Sequence, residues 1–476
     1  MTRYNSLAAA ALLALCGAVP VRAQDVIAAA EEPVQAGETV LEVGDPAAEA
    51  AAAKDAVQPE PAPVPAAAPV FETVSAAKVP YTQDSSEWDY LKKAAAGDKA
   101  AAEIILPQVT DWLVVYPSSE YAADAQLLKA RLHLKLGDHR RALTDLLKYF
   151  QCYPKAASMA EARKLFKETA DRKAGKDLRA ALEELSAEPG TGDEQYHLSL
   201  LLERLAVRAG GEFYAPLCEE FREFLNRYPA YAKNDEVRMA LADLHRKNGE
   251  YLAAKMGYEK LIRLHPGSPL QAGAKLALAG VEAGELDMYD EAIAVYQDVA
   301  ASYPGSPEAW EAYSRLASLC ERRKKYALAA DVHAKIIALY PDRAEAYDSF
   351  RAEARLLRDE LDKPAEAAAV LDRLADKYKD GRAVEALLLA AEIRRRDLKD
   401  TPAEVKTYDR IAAEYPSDAQ APKALYAAGE ALEKAGDAAA AKEYYSKTAE
   451  KYADSSSAAR AKKRLAAIEQ SAGGKK

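Results

Sequence analysis

Along most of the chain apolar residues recur at intervals of three and four, the spacing of one helical face. Polar residues fill the positions between. The apolar runs come in pairs. After Tyr303 one run covers about 307–323 and a second about 326–339, with Lys324-Lys325 between them. Each pair closes on an aromatic step related to Tyr303-Pro304-Gly305-Ser306-Pro307-Glu308. With the ring as anchor, the copies fall at Tyr116, Tyr153, Tyr228, His265, Tyr303, Tyr340, Tyr378, Tyr415 and Tyr452. Successive spacings are 37, 75, 37, 38, 37, 38, 37 and 37 residues. The long interval is about two periods, and Glu188-Pro189-Gly190 lies near its middle. A period of roughly 20 to 50 residues marks a solenoid, propeller or array. The abundance of Ala, Leu, Glu, Lys and Arg selects helices among these.

Columns at fixed offsets sharpen the unit. Eleven residues before the anchor stand Ala142, Ala254, Ala292, Ala329, Ala367 and Ala441. Twelve further back stand Ala130, Ala242, Gly280, Ala317 and Gly429. Small side chains at both points let paired helices approach closely. Seven before the anchor is a ring column of Phe221, Tyr258, Tyr296, Tyr408 and Tyr445, with His333 in the same slot. These rings are expected to fill the space between stacked units. The turn inside a unit often carries Gly and an acid, as in Gly137-Asp138, Gly249-Glu250 and Gly436-Asp437. Gly ends a helix in the left-handed conformation without a Cβ clash. Helix starts are expected at Ser306-Pro307 and Ser268-Pro269, and at Thr401-Pro402, where Glu404 completes a capping box. In the first unit helix A starts at Ser86-Glu87-Trp88, and helix B covers about 98–115 with a kink at Pro107.

The small residue of helix A, the Ala early in helix B and the closing Pro resemble the tetratricopeptide repeat. The extra residues of the Tyr-Pro-x-Ser connection are similar to bacterial envelope members, namely the periplasmic partner of the Tol-Pal system and the repeat lipoprotein of the outer-membrane assembly machine. The resemblance implies an all-α fold: a right-handed α-solenoid of about ten helix pairs with a C-terminal capping helix. It implies a concave wall of A helices that binds peptides or partner helices. Ser455 to Gln470, with Arg460, Lys462, Lys463 and Arg464, supplies the charged last helix that an open-ended array needs.

The ends of the chain change the picture. Residues 1–23 have a secretory signal's form: Arg3, an apolar run from Leu7 to Val19, and Val21-Arg22-Ala23 as the cleavage site. That run is too short to span a bilayer. A lipoprotein signal with Cys16 as the lipidated residue is the rival, against which stands the bulky Leu15. Residues 24–84, rich in Ala, Pro, Glu and Val, lack the apolar surface to offset the entropy of ordering and read as an extended linker. The array covers 85–470 and a short tail 471–476. The formal net charge of the chain is −10, and residues 24–80 hold ten acids and two lysines of it. The array is thus nearly balanced, with no footprint for nucleic acid. Its many charged residues, including Glu183-Glu184 and Glu219-Glu220, read as solvated helix surface.

Candidate chemistry is sparse. No HExxH, P-loop, GxSxG or GxGxxG occurs, so no catalytic, cofactor or metal residue is nominated. Beyond Cys16, the cysteines Cys152, Cys218 and Cys320 sit in different units and are expected as buried free thiols. What remains is a surface. Exposed aromatics on A helices would mark its hot spots, and Trp310, Tyr347 and Phe350 are the candidates, with Tyr313 assigned to packing. The expectation is a non-enzymatic exported scaffold in the periplasm that binds other envelope proteins or peptides, with peripheral membrane association. The alternative is a structural subunit, lipid-anchored through Cys16, of an outer-membrane assembly or secretion complex.

Overall fold

A computed structural model describes residues 82–187, 189–190 and 192–473, which lie in one unit beginning at Lys78. The signal sequence and nearly all of the expected linker lie outside the described residues. Among those described, the regular elements are helices in ten pairs followed by a single one. The first five pairs are α1 (Gln83–Ala94) and α2 (Lys99–Val115), α3 (Ala122–Leu136) and α4 (His139–Cys152), α5 (Met159–Lys173) and α6 (Lys176–Leu185), α7 (Glu194–Ala209) and α8 (Tyr214–Arg227), and α9 (Asn234–Lys247) and α10 (Tyr251–Leu264). Then come α11 (Gln271–Gly284) and α12 (Tyr289–Ser302), α13 (Pro307–Arg322) and α14 (Tyr326–Leu339), and α15 (Glu345–Arg355) and α16 (Pro364–Lys377). The last are α17 (Gly381–Arg396) and α18 (Thr401–Glu414), α19 (Ala421–Lys434) and α20 (Ala438–Lys451), and the closing α21 (Ser456–Gly473). Each helix packs on its neighbours in sequence, and the buried apolar residues form successive clusters along the chain. The chain is the α-solenoid expected.

The second helix of a pair is the invariant part. From α4 onward, α6 excepted, every second helix has 14 residues. Two stops bracket it. At its front, α8 excepted, a left-handed residue ends the first helix: Gly137, Gly249, Asp287, Lys324, Asp362, Lys399 or Gly436, with φ between 52° and 89°. Each stands 16 residues ahead of its ring anchor. At its back the ring ends the helix. Eight anchors share φ of −119° to −127° and ψ of 45° to 62°. At seven of them a following proline disfavours helical ψ in the residue before it, which stops the helix there; Tyr452, followed by Ala453, takes the same conformation without one. Tyr378, followed by Lys379, instead has ψ of 122°, and its connection is the shorter Lys379-Asp380.

The first helix absorbs what variation there is. Leu356–Glu360 continues α15 as a π-helical turn. Ala354 is buried there, one place ahead of the slot that Ala317 and Gly429 hold. The π turn therefore houses one extra residue, and the second helix keeps its register. The rings of the aromatic column are buried at every position named above, His333 being half-buried. A Cβ on Gly429 would lie 2.6 Å from the Tyr445 ring, so the small-residue column is a steric requirement. The ring column also carries polar links. Tyr258 donates to Asp243 Oδ1 at 2.6 Å, Tyr445 to Glu433 Oε2 at 2.7 Å, and His333 Nε2 lies 3.1 Å from Glu321 Oε1.

Several local expectations need correction. Ser306 caps α13, accepting from Ala309 N at 3.0 Å, but Ser268 does not cap α11, which starts at Gln271. Ser268 instead folds its turn by accepting from Leu270 N and donates to Asp235 of the preceding unit. Asp400, not Thr401, caps α18, accepting from Ala403 N at 3.0 Å. Its carboxylate is the stronger acceptor and sits directly after the left-handed Lys399. The helix α2 holds Pro107 within it, over nearly the span expected. Cys218 and Cys320 are buried free thiols, whereas Cys152 is half-buried. Burial pushes the Cys320 thiol up to about 11. The third pair departs most: α5 and α6 barely touch, and α4 packs on α7 as well as on α5.

The left-handed stops make a stability prediction. Lys324→Gly removes a Cβ penalty of about 1–2 kcal/mol, offset in part by the freer unfolded chain. Urea unfolding of Lys324→Gly is expected to show a gain of about 0.5–1 kcal/mol, and Gly137→Ala a loss of similar size.

Candidate functional site

The first helices of units seven to nine, α13, α15 and α17, form the best-defined surface on that side of the pairs. On α13, Trp310 is half-buried. Its ring meets Tyr340 edge-on, with centroids 5.2 Å apart at 74°. The Arg343 guanidinium lies 4.4 Å above it, a cation–π arrangement. One unit on, Tyr347 of α15 is also half-buried and meets Tyr378 at 5.7 Å and 87°. Its hydroxyl donates to Glu385 Oε2 at 3.1 Å, and Arg382 sits 4.1 Å from the Tyr378 ring. The two aromatics thus repeat one device: a first-helix ring against the anchor ring of the step, with an arginine over the pair. Phe350 differs from expectation. It is 3% exposed and belongs to the buried cluster that includes Ile337, Ala354 and Leu371. Phe350 has no surface to offer. Tyr313, 8% exposed, packs as assigned.

Beside Tyr347 a groove of about 410 Å³ runs between α15 and α17, lined by Asp348, Arg351, Arg355, Arg358, Leu371 and Leu389 among others. The arginines fan to both sides. Arg355 donates to Glu321 Oε2 of α13 at 2.5 Å, and Arg358 donates to Asp397 Oδ2 beyond α17 at 2.6 Å. Arg351 stands 3.5 Å from Glu385 of α17. The π turn makes this fan, since its extra residue turns Arg358 away from the α13 side. Arg351 and Arg355 keep 48% of their side-chain surface exposed, so their guanidinium groups remain available as planar donors. Burial raises the Glu321 carboxyl, but hydrogen bonds from His333 and Arg355 outweigh it and hold the group below its ordinary range.

The helix α15 carries a less satisfied acid. Glu353 of α15 is 7% exposed, and its Oε2 accepts no hydrogen bond, although Arg373 stands 3.5 Å away. Burial pushes this carboxyl above the ordinary 4.5, and Arg373 offsets only part of that. Among the described residues no group of three or more His, Cys, Asp or Glu is placed to hold a metal. No helix among them is long and apolar enough to cross a membrane. The groove can grip and orient polar groups along an extended segment. The arginine fan escaped sequence reasoning, although one signal pointed to it. The small-residue column breaks at Arg355 while Ala354 stands one place early, marking an insertion in this helix.

Family models described as tetratricopeptide repeat match residues 239–307 and 283–344, and 385–418 and 423–455. Residues 239–344, 385–418 and 423–455 are tetratricopeptide repeats. No curated protein matches the sequence. Among solved structures, a tetratricopeptide repeat protein from Parabacteroides merdae is 13% identical, with 58% of this chain and 100% of that one covered, at a TM-score of 0.30. PilW, described as a widely conserved type IV pilus biogenesis factor, is 16% identical over 49% of this chain and 100% of its own, at 0.27. Yeast Tom70 is 14% identical over 82% and 89%, at 0.23.

The raised carboxyl gives a pH prediction. Glu353 favours the folded state while protonated, and that contribution is lost as pH rises through its elevated folded-state value. Glu353→Gln is expected to match wild type in thermal unfolding below pH 4.5, the ordinary value, and to exceed it increasingly toward neutral pH.

Proposed function

We propose that the chain is an exported scaffold of the bacterial cell envelope that holds partner proteins against the first-helix surface of units seven to nine. The observation that carries this is the α15–α17 groove. Its exposed arginines are already aimed by fixed acids on both sides, and Trp310 of α13 and Tyr347 of α15 stand as half-buried aromatic anchors on the same first helices. Preorganised arginines and aromatics are the residues that dominate protein interfaces, and repeats of this family present such surfaces for protein binding. Export rests on residues 1–23, whose positive start, apolar run and Val21-Arg22-Ala23 site have the form of a secretory signal. On this reading the mature chain begins at Gln24 in the periplasm, and residues 24–84 space the array from whatever its N-terminal end meets.

The test is capture in cells. The full chain is crosslinked in intact cells, and the products are recovered from the periplasmic fraction. The triple variant Trp310→Ala, Tyr347→Ala and Arg351→Glu is expected to lose the crosslinked species roughly tenfold, with its far-UV circular dichroism unchanged. Equal capture by the variant would move the binding surface elsewhere. Recovery of the chain only from the cytoplasm would remove the envelope assignment.

A further inference from the structure

The densest set of buried charges lies far from this groove, where the displaced third pair interrupts the array. There α8 comes against α4 through charges. Lys148 of α4, its side chain 9% exposed, donates to Glu220 Oε2 at 2.9 Å and to Glu223 Oε1 at 2.6 Å, both on α8. Lys129 of α3 stands 3.4 Å from Asp145 Oδ1 and 3.9 Å from Glu220 Oε1. These residues are not solvated helix surface, as the sequence pattern implied. Glu219 and Glu220 differ in environment, with side chains 54% and 12% exposed.

A cavity of about 410 Å³ opens beside this network, between α2, α3, α4 and α8. Asp111, Asp145, Glu219, Glu220 and Glu223 line it, against Lys129 and Arg141. With Lys148 behind the glutamates, five carboxylates face three cations, leaving a deficit of two positive charges. His133 also lines the cavity and is 7% exposed. Its Nδ1 lies 2.6 Å from Asp145 Oδ2. A carboxylate only accepts, so that ring nitrogen carries a proton, and in the neutral ring Nε2 is an acceptor. Among the described residues no hydrogen bond reaches Nε2. Leu106, Pro107 and Pro216 supply apolar wall.

The geometry points to a second binding site here, for a ligand carrying primary ammonium groups on an alkyl stem. The chemistry is that of a polyamine or of a lysine pair on a partner segment. The ammonium groups would meet the surplus carboxylates and His133 Nε2, and the stem would lie on Leu106 and the two prolines. Lys129 and Lys148 hold the inner acids in place from behind, so the site is preorganised. Asp111 and Glu219, at the exposed rim, are the residues to change without disturbing the core.

The test is isothermal titration of the full chain at low salt, about 20 mM, where charge pairing is least screened. Spermidine and an acetylated Ala-Lys-Lys-Ala peptide are the two probes. At least one is expected to bind wild type and to bind Asp111→Asn with Glu219→Gln roughly tenfold more weakly. Glu443→Gln with Glu450→Gln removes the same charge from the exposed face of α20 and is expected to bind as wild type. Binding by spermidine alone would name a free polyamine as the source, and binding by the peptide alone a partner's lysines. No binding by either probe, or equal weakening in both double variants, would overturn the proposal. Loss of the α15–α17 groove's partner leaves this result untouched.

Discussion

The fold depends on one constraint, the clamping of the second helix between a left-handed residue and an aromatic ring, present in seven of the ten units. Sixteen residues separate Lys324 from Tyr340 and Gly436 from Tyr452 alike, and the helix between has 14 residues in both. A helix turns by about 100° per residue. A change of one residue inside this span would carry the ring column and the packing alanine to the wrong faces. Both stops are local: a φ above zero at one end and a proline-restricted ψ at most of the others. The periodicity of the array is therefore written in backbone conformation first and in side-chain packing second.

Because the second helix is fixed, the first is free to vary. α15 takes an additional residue as a π turn, and the turn spreads Arg355 and Arg358 toward opposite neighbours. In a regular helix those side chains would be about 300° apart and close to one face. π turns of this kind are frequently found at functional positions. The buried charges at the α4–α8 seam arise from a different departure, the third pair standing aside so that α8 meets α4 through lysines and glutamates. Both candidate sites sit where the repeat departs from itself.

The repeat itself was legible from the sequence. The Ala columns and the Tyr column landed on buried positions and the ring anchors on half-buried ones, because packing between similar units forces the same residue type into the same slot. Helices α13 and α14 agree with the apolar runs to within a residue. Caps were less legible. Ser268 and Thr401 have the composition of caps, but Asp235 claims the first and Asp400 pre-empts the second, and neither competition shows in local spacing. Phe350 misled because residue type does not set exposure: it is near Tyr347 on the helix, yet its ring joins the buried cluster of Ile337, Ala354 and Leu371 while Tyr347 stays half-buried at the edge. Glu220 and Lys148 misled for the opposite reason. Charged residues at helical spacing usually meet water, and only the fold brings residues 72 apart together as a buried pair.

The most direct measurement compares two changes of one residue, one on each side of the clamp. Deleting Asp359 takes the extra residue out of the π turn, and inserting an alanine after Asp331 lengthens α14. If the second helix sets the register, native-state hydrogen exchange will show the deletion variant protected as wild type throughout α16 to α20. The insertion variant will lose protection across α13 to α16. Equal protection in both variants would contradict the account.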